Sequence, residues 1–246
     1  MPGYDFHSTR LYVSTPLAAR AEVALEARQA HYLVNVLRLK ADDQVLVFNG
    51  RDGEWSAALT GTKRAAALAV GSQTRPQTTA TDLHYLFAPL KSARLDYMVQ
   101  KAVEMGVSRL VPVITRHGQV SRVNAERMRK NAIEAAEQCG VLVLPEIVPQ
   151  LPLAHYLGER EPDRYLVFCD EAAEVSDPVA ALGTLAPHSP LAVLIGPEGG
   201  FAEDERVALL RQSNVVRLAL GPRILRADTA AVAVLALVQA VLGDWR

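Results

Sequence analysis

The chain has few of the residues that build stapled or metal-centred domains: of 246 residues only two are cysteine, Cys139 and Cys169. A disulfide scaffold and a cysteine-rich zinc module are thereby excluded. The six histidines show no metal-ligand spacing, and no metal is expected. Long apolar runs are missing too. The most apolar stretch, Ala230 to Gly243, is uncharged over about 14 residues, short of the roughly 18–20 that cross a bilayer. It reads as a buried helix or a subunit-contact helix. The polar N-terminus, with Asp5 and His7, has no apolar segment of the signal-peptide kind. Few cysteines and no export signal point to a cytoplasmic setting without a membrane partner. Net charge is almost absent, −1 at pH 7, and by itself announces no polyanionic partner.

What is present is ordinary globular material, 50% hydrophobic and 22% charged, in a length that suits two domains. The charge balance is uneven along the chain. Residues 1–82 carry 9 basic and 8 acidic side chains, 83–130 carry 9 and 3, and 131–246 carry 8 and 16. A basic middle before an acidic C-terminal part fits a polyanion-facing surface, or merely solvated helix faces.

Residues 1–73 alternate short β-rich runs with turns: Leu11 to Val13, Val45 to Phe48 ending at Asn49-Gly50, Trp55 to Leu59 after Asp52-Gly53, and Ala66 to Val70. A small, largely antiparallel β unit is expected, interrupted by a helix over Ala30 to Leu39. The polar, threonine-rich stretch 74–81 reads as a linker. From residue 82 to 246 strands alternate with helices. Strands are expected at Leu83–Ala88, Val107–Ile114, Val141–Val148, Tyr165–Cys169, Leu191–Ile195 and Val215–Leu220, with helices at Ser92–Met105 and Asn124–Cys139. Pro112 warns of an irregular or edge strand. The pattern predicts an α/β domain with a mainly parallel sheet covered on both faces.

Ligands of such sheets sit beyond the carboxyl ends of strands. Two segments there stand out. Leu194-Ile195-Gly196-Pro197-Glu198-Gly199-Gly200 follows one strand and precedes an acidic helix start at Glu203-Asp204-Glu205. Its glycines allow sharp turns and close approach of backbone to a ligand. It matches neither the dinucleotide nor the nucleoside-triphosphate glycine pattern. The second segment, Leu218 to Ala230, leaves its strand through Leu220-Gly221-Pro222 and places Arg223 and Arg226 around Ile224-Leu225. These arginines suit a phosphate or carboxylate ligand, or pairing with Asp228 and Glu198 to pin the loop.

Together with Leu90 to Val113 and Glu134 to Gly140, these segments resemble the RsmE family, uridine-N3 methyltransferases of small-subunit (16S) ribosomal RNA in the SPOUT superfamily. The resemblance spans nearly the whole chain, including a PUA-like β-barrel in residues 1–73. It implies a deep trefoil knot over about 191–235 that binds S-adenosylmethionine, and a homodimer. The implied cofactor residues are Leu194, Ile195, Gly196, Pro197, Gly199, Gly200, Leu218, Leu220, Gly221, Ile224, Leu225, Arg226 and Thr229. Ala202 stands where the family commonly has serine, which removes one half of a capping box and costs about 1 kcal/mol. Ala227 and Asp228 replace a threonine and a glutamate, and Val141 an arginine.

Methyl transfer to uracil N3 needs alignment and removal of a proton from the nitrogen. Glu198 and Glu137 are the candidate bases. Arg10, Arg223 and Arg226 are candidates for stabilising charge on the uracil oxygens. Ribosomal RNA, free or in the assembled small subunit, is expected to meet Lys91, Arg94, Lys101, Arg116 and Arg122, with Arg10, Arg38 and Lys40 of the barrel. A transfer-RNA methyltransferase and a non-catalytic RNA-binding protein stay open as other readings.

Overall fold

The computed structural model describes residues 7–62, 65–120, 122–170, 173 and 177–245. The chain divides into two units, Met1–Thr79 with Ala136–Leu144 and Ala80–Ala135 with Pro145–Arg246.

The first unit is built on β1 (Arg10–Tyr12), β2 (Glu22–Ala24), β3 (Gln44–Phe48), β4 (Glu54–Thr62) and β5 (Ala65–Arg75). They pair in the order β1-β3-β4-β5-β2, with β1 parallel to β3 and the other pairs antiparallel. The β3–β4 turn forms where the two Asx-Gly dipeptides stand. Asn49 Oδ1 accepts the N–H of Arg51 at 3.0 Å and of Asp52 at 2.9 Å, and Gly53 takes φ +79°. A Cβ at Gly53 would lie 2.4 Å from the Arg75 carbonyl oxygen, so only glycine fits there. Val45, Val47, Leu68 and Leu33 form the centre of this unit's core.

The helix expected over Ala30 to Leu39 is shifted three residues toward the N-terminus. It starts earlier, as α1 (Ala27–His31), and continues as a wide π turn over Tyr32–Val36. Glu26 N–H donates to Gln29 Oε1 at 3.0 Å at its start. At its end Arg38 adopts φ +60°, which terminates helical geometry. β5 runs to Arg75, into the stretch expected as linker, because Arg75 is tied to Glu54. That glutamate is buried, accepts from Arg10 Nε at 3.0 Å and Arg75 Nε at 2.9 Å, and also from Thr74. Burial opposes its charge, yet these donors hold the carboxyl below its ordinary range.

The second unit contains β6 (Leu83–Phe87), α2 (Ser92–Glu104), β7 (Arg109–Ile114), α3 (Ala125–Cys139), β8 (Glu146–Ile147), β9 (Leu151–Pro152) and α4 (Leu153–Glu159). It continues with β10 (Tyr165–Cys169), α5 (Pro178–Leu182), β11 (Leu191–Ile195), α6 (Glu203–Leu210), β12 (Val215–Leu218) and α7 (Ala227–Val241). The sheet order is β12-β10-β11-β6-β7-β8, with β9 also on β7, and every pairing is parallel. Strands such as β6 and β11 are buried at every residue, as a sheet covered on both faces requires. Pro112 falls in the interval between the pairings of β7 with β8 and with β9, where its missing N–H costs no ladder bond.

The expected strand at Val141–Val148 is reduced to Glu146–Ile147. α3 ends at Gly140, φ +63°, and its last turn belongs with residues 136–144 to the first unit. There Arg75 Nη2 donates to the Gly140 carbonyl at 3.0 Å and Gln77 Nε2 to the Leu142 carbonyl at 3.4 Å. Side chains of β5 and the linker thus occupy carbonyls that a strand would have used. The apolar C-terminal segment is a helix inside the fold. Its one polar interior residue, Gln239, is buried and donates to the Met105 carbonyl at 2.6 Å. Among the described residues no helix is long and apolar enough to cross a membrane.

At the amino end of β6, His84 is buried 3.6 Å from Asp82. Desolvation, followed by the Arg164 and Arg109 charges, brings its pKa down to about 4. An unfolded histidine titrates near 6.5, so between about 6.5 and about 4 the unfolded chain binds the extra proton and stability falls with falling pH. Urea unfolding across this window should show a declining midpoint. The decline should be smaller in His84→Gln, and equal slopes would refute the assignment.

Candidate active site

The loops leaving β11 and β12 meet over the carboxyl ends of β10, β11 and β12. They enclose a cavity of about 660 Å³, within the roughly 300–1,000 Å³ of small-molecule sites. One wall is Ile195, Gly196, Pro197, Glu198, Gly199 and Gly200; the other is Leu218, Leu220, Gly221, Arg223, Ile224, Leu225 and Arg226. The two glycine-proline exits seen in the sequence therefore build one site. Gly200 and Gly221 have φ of +71° and +92°, and open space where a Cβ would be. Their backbone is accessible to a ligand. Gly196 serves a different purpose, because a Cβ there would stand 2.5 Å from the Phe201 ring, which packs edge-on against Phe168.

Two of the expected cofactor residues do not line the cavity. Leu194 is fully buried in β11, and Thr229 stands on α7, exposed, one position past Asp228. In their place the third wall comes from β10 and α6: Phe168, Cys169, Asp170, Phe201 and Arg206. Sequence reasoning passed over these. The signal was an acid immediately after the apolar strand YLVFC, at the carboxyl end where ligands bind. Asp170 is 7% exposed and accepts from Arg217 Nη2 at 2.7 Å and Arg206 Nη2 at 3.1 Å. Burial pushes the neighbouring Cys169 thiol up to about 12, so it stays protonated near neutrality.

The loops are held together by Arg94, from the first turn of α2. Its Nε and Nη2 donate to the two carboxylate oxygens of Asp228 at 2.9 and 3.1 Å, and its Nη1 pairs with Glu198. Hydrogen bonds to Asp228 and then Glu198 raise the Arg94 pKa, and the donation from Arg94 lowers that of Asp228. Arg94 was expected on RNA and Glu198 as a base. The structure gives each a partner in the other, with Asp228 between α2 and α7. Arg223 and Arg226, considered as partners of those same acids, are instead exposed at the cavity without an ion pair among the described residues.

A second tie comes from the loop after β7. Arg116 donates its N–H to Glu205 Oε1 at 2.8 Å and pairs with Asp204 at 2.7 Å, while His117 Nδ1 lies 3.2 Å from the Gly200 carbonyl. Glu205 Oε2 also accepts the Ala202 N–H at 3.0 Å. Half of the capping box survives the loss of its serine.

The other candidates are placed as follows. Arg10 and Glu137 belong to the first unit. The Arg10 side chain is buried against Glu54, and Glu137 Oε1 accepts the Tyr12 N–H at 2.9 Å. Arg38 and Lys40 are exposed in that unit. Lys101 pairs with Glu104 at 2.6 Å and lies 5.5 Å from the Tyr97 ring centre. Lys91 and Arg122 are exposed at a separate cleft of the second unit. Among the described residues no group of three or more potential metal ligands occurs.

Comparison with known proteins agrees with this architecture. Residues 77–239 match a family model described as an RNA methyltransferase domain, and residues 25–70 one described as an RNA methyltransferase PUA domain. The chain is 31% identical over 232 residues to the ribosomal RNA small subunit methyltransferase E of Rickettsia conorii, covering 94% of each. With the Bacillus subtilis protein of the same name it shares 26% over 219 residues, 84% of this chain and 85% of the other. Among solved structures it resembles the ribosomal RNA small subunit methyltransferase E of Neisseria gonorrhoeae bound to S-adenosylmethionine. That match has a TM-score of 0.85 and 26% identity, covering 98% of this chain and 100% of the other. A Legionella pneumophila putative methyltransferase with bound S-adenosylmethionine gives 0.82 and 27%, over 95% and 98%. Fold and site thus define an α/β RNA methyltransferase with an N-terminal PUA domain. The chain belongs to the ribosomal RNA small subunit methyltransferase E family.

Replacing Arg94 with alanine removes its bonds to both loops. The cost in stability should be only about 1 kcal/mol, because the pairs are partly exposed. Amide exchange of residues 196–201 and 227–230 should accelerate, and unchanged exchange there would show that the loops are held by other contacts.

Proposed function

We propose that the protein transfers a methyl group from S-adenosylmethionine to N3 of a specific uridine in 16S ribosomal RNA. The observation that carries the proposal is the single cavity formed by the two glycine-proline loops, in a fold shared with S-adenosylmethionine-bound relatives. The residues present fit that cofactor. Open, glycine-rich backbone at Gly200 and Gly221 offers hydrogen-bonding groups, and Ile195, Leu218 and Leu225 offer apolar surface to an adenosine. S-adenosylmethionine supplies an electrophilic methyl on a sulfonium.

The chain's own task is to hold uracil in line and to favour loss of the N3 proton. Arg223 and Arg226 carry charge at the cavity that no described acid takes up, so they stabilise the anion that develops on the uracil oxygens. Glu198 is committed to Arg94. Its main role is to fix the loop. RNA grip in the first unit is assigned to the exposed Arg38 and Lys40, whereas Arg10, buried against Glu54, and Glu137, which accepts the Tyr12 N–H, hold the fold of that unit. Lys91 and Arg122 add basic surface in the second unit, while Lys101 and Arg116 are paired with Glu104 and Asp204.

The proposal also takes 191–235 as a trefoil knot. Its support is the sheet order, which sets β10 between β11 and β12. A cytoplasmic homodimer is proposed as well. Ile224, 88% exposed, and Trp245, 55% exposed, offer apolar surface to a second copy.

Incubation with labelled S-adenosylmethionine and either small ribosomal subunits or transfer RNA, followed by nucleoside analysis, should yield 3-methyluridine from the subunits alone. No transfer to the subunit overturns the proposal. Arg223→Ala should lower kcat by about 100-fold with cofactor affinity kept, and its rate should recover as pH rises and uracil deprotonates unaided. Glu198→Gln should cost less than about tenfold.

A further inference from the structure

A second cleft, of about 390 Å³, opens at the same edge of the parallel sheet. It lies between the loop leaving β6 and the loop leaving β7. Its floor is apolar, with Leu90, Leu95 and Met128 buried there. Its rim is basic. Lys91 and Arg122 are exposed and have no ion pair among the described residues. The cleft's acid, Asp96, is already neutralised. Arg127 Nε donates to it at 2.9 Å and Asn131 Nδ2 at 2.6 Å. Two polar groups at the cleft have no hydrogen-bond partner among the described residues, the Ser92 hydroxyl and Nδ2 of Asn124, whose Oδ1 accepts the Arg127 N–H at 3.0 Å.

The two clefts share their dividing elements. In the first turn of α2, Arg94 turns to Glu198 and Asp228, whereas Lys91 and Ser92 line the second cleft. In the loop after β7, His117 lies beside Gly200 and Arg122 lines the second cleft. Strands are ~4.8 Å apart and β6 is next to β11, so the centres of the two clefts are on the order of 12 Å apart. One RNA strand spans that distance within a few nucleotides.

An apolar floor with uncommitted hydrogen-bonding groups and two cations at the rim matches one nucleotide of single-stranded RNA. The base lies on the floor with its edge toward Ser92 and Asn124, and the phosphate meets Lys91 and Arg122. An acidic peptide would use the rim but leave the flat apolar floor unmatched. We infer that this cleft receives a nucleotide flanking the target uridine, as a sequence-reading subsite distinct from the cofactor cavity. The inference rests on the function proposed above, and its test is read separately.

The experiment uses the full protein with a protein-free fragment of small-subunit ribosomal RNA and with assembled subunits. In Lys91→Ala/Arg122→Ala, affinity for the fragment should fall by about tenfold or more, with the slope of log affinity against log salt shallower by about 1–2. S-adenosylmethionine affinity should stay within twofold. Ser92→Ala/Asn124→Ala should leave the salt slope alone and instead relax the preference among fragments that differ only beside the target uridine. Arg109→Ala, at the opposite end of β7, controls for net charge. Unchanged fragment binding in the cleft variants, or an equal loss in Arg109→Ala, overturns the subsite. Loss confined to assembled subunits overturns it in favour of a protein partner. A wild-type protein that binds the fragment through these residues but transfers no methyl group would instead overturn the proposed reaction.

Discussion

The guanidinium of Arg94 joins three segments that are far apart in the chain: the first turn of α2, the loop after β11, and the start of α7. Its fork matches the Asp228 carboxylate oxygen for oxygen, and its remaining nitrogen takes Glu198. Bidentate geometry of this kind fixes orientation as well as distance. The glycine-proline loop after β11 and the start of α7, where the other loop ends, are both anchored to the same helix. Arg94 therefore belongs to the architecture of the site, although its type and its place in a basic segment suggested a surface contact with RNA.

The same pairing explains the charge pattern. Part of the acidic excess of the C-terminal part is taken up at the site, Asp228 and Glu198 by Arg94 and Asp204 by Arg116, while Asp170 pairs with Arg206 and Arg217 of that same part. The basic middle segment supplies two of those arginines. What stays unpaired at the clefts is mostly positive: Arg223 and Arg226 at one, Lys91 and Arg122 at the other. A nearly neutral chain thus presents cations at both clefts, because the acids that line them, Asp170, Glu198 and Asp96, are ion-paired.

The parallel strands, the two helices after β6 and β7, and the glycine-proline exits were legible because each rests on local regularity: continuous apolar runs, helical spacing, and backbone turns that need glycine. Misread elements have non-local causes. Residues 141–145 are apolar enough for a strand, yet Arg75 takes the Gly140 carbonyl just before that stretch and Gln77 the Leu142 carbonyl within it. Arg10 looked available for RNA, and its partner Glu54 is 44 residues away. Asp170 carried a signal in its position after a strand, but the arginines that bury it come from α6 and β12.

By itself, then, the sequence determined two domains, a parallel α/β sheet, the pair of loops that wall the cavity, and the family. The first three follow from residue type and spacing over short windows, and the family from a resemblance that spans nearly the whole chain. Only the tertiary structure decided that Arg94 and Glu198 hold one another, that β10 and α6 complete the cavity, and that Arg223 and Arg226 stay uncompensated. Ion pairing depends on which side chains the fold brings within about 4 Å, and no local pattern encodes that distance.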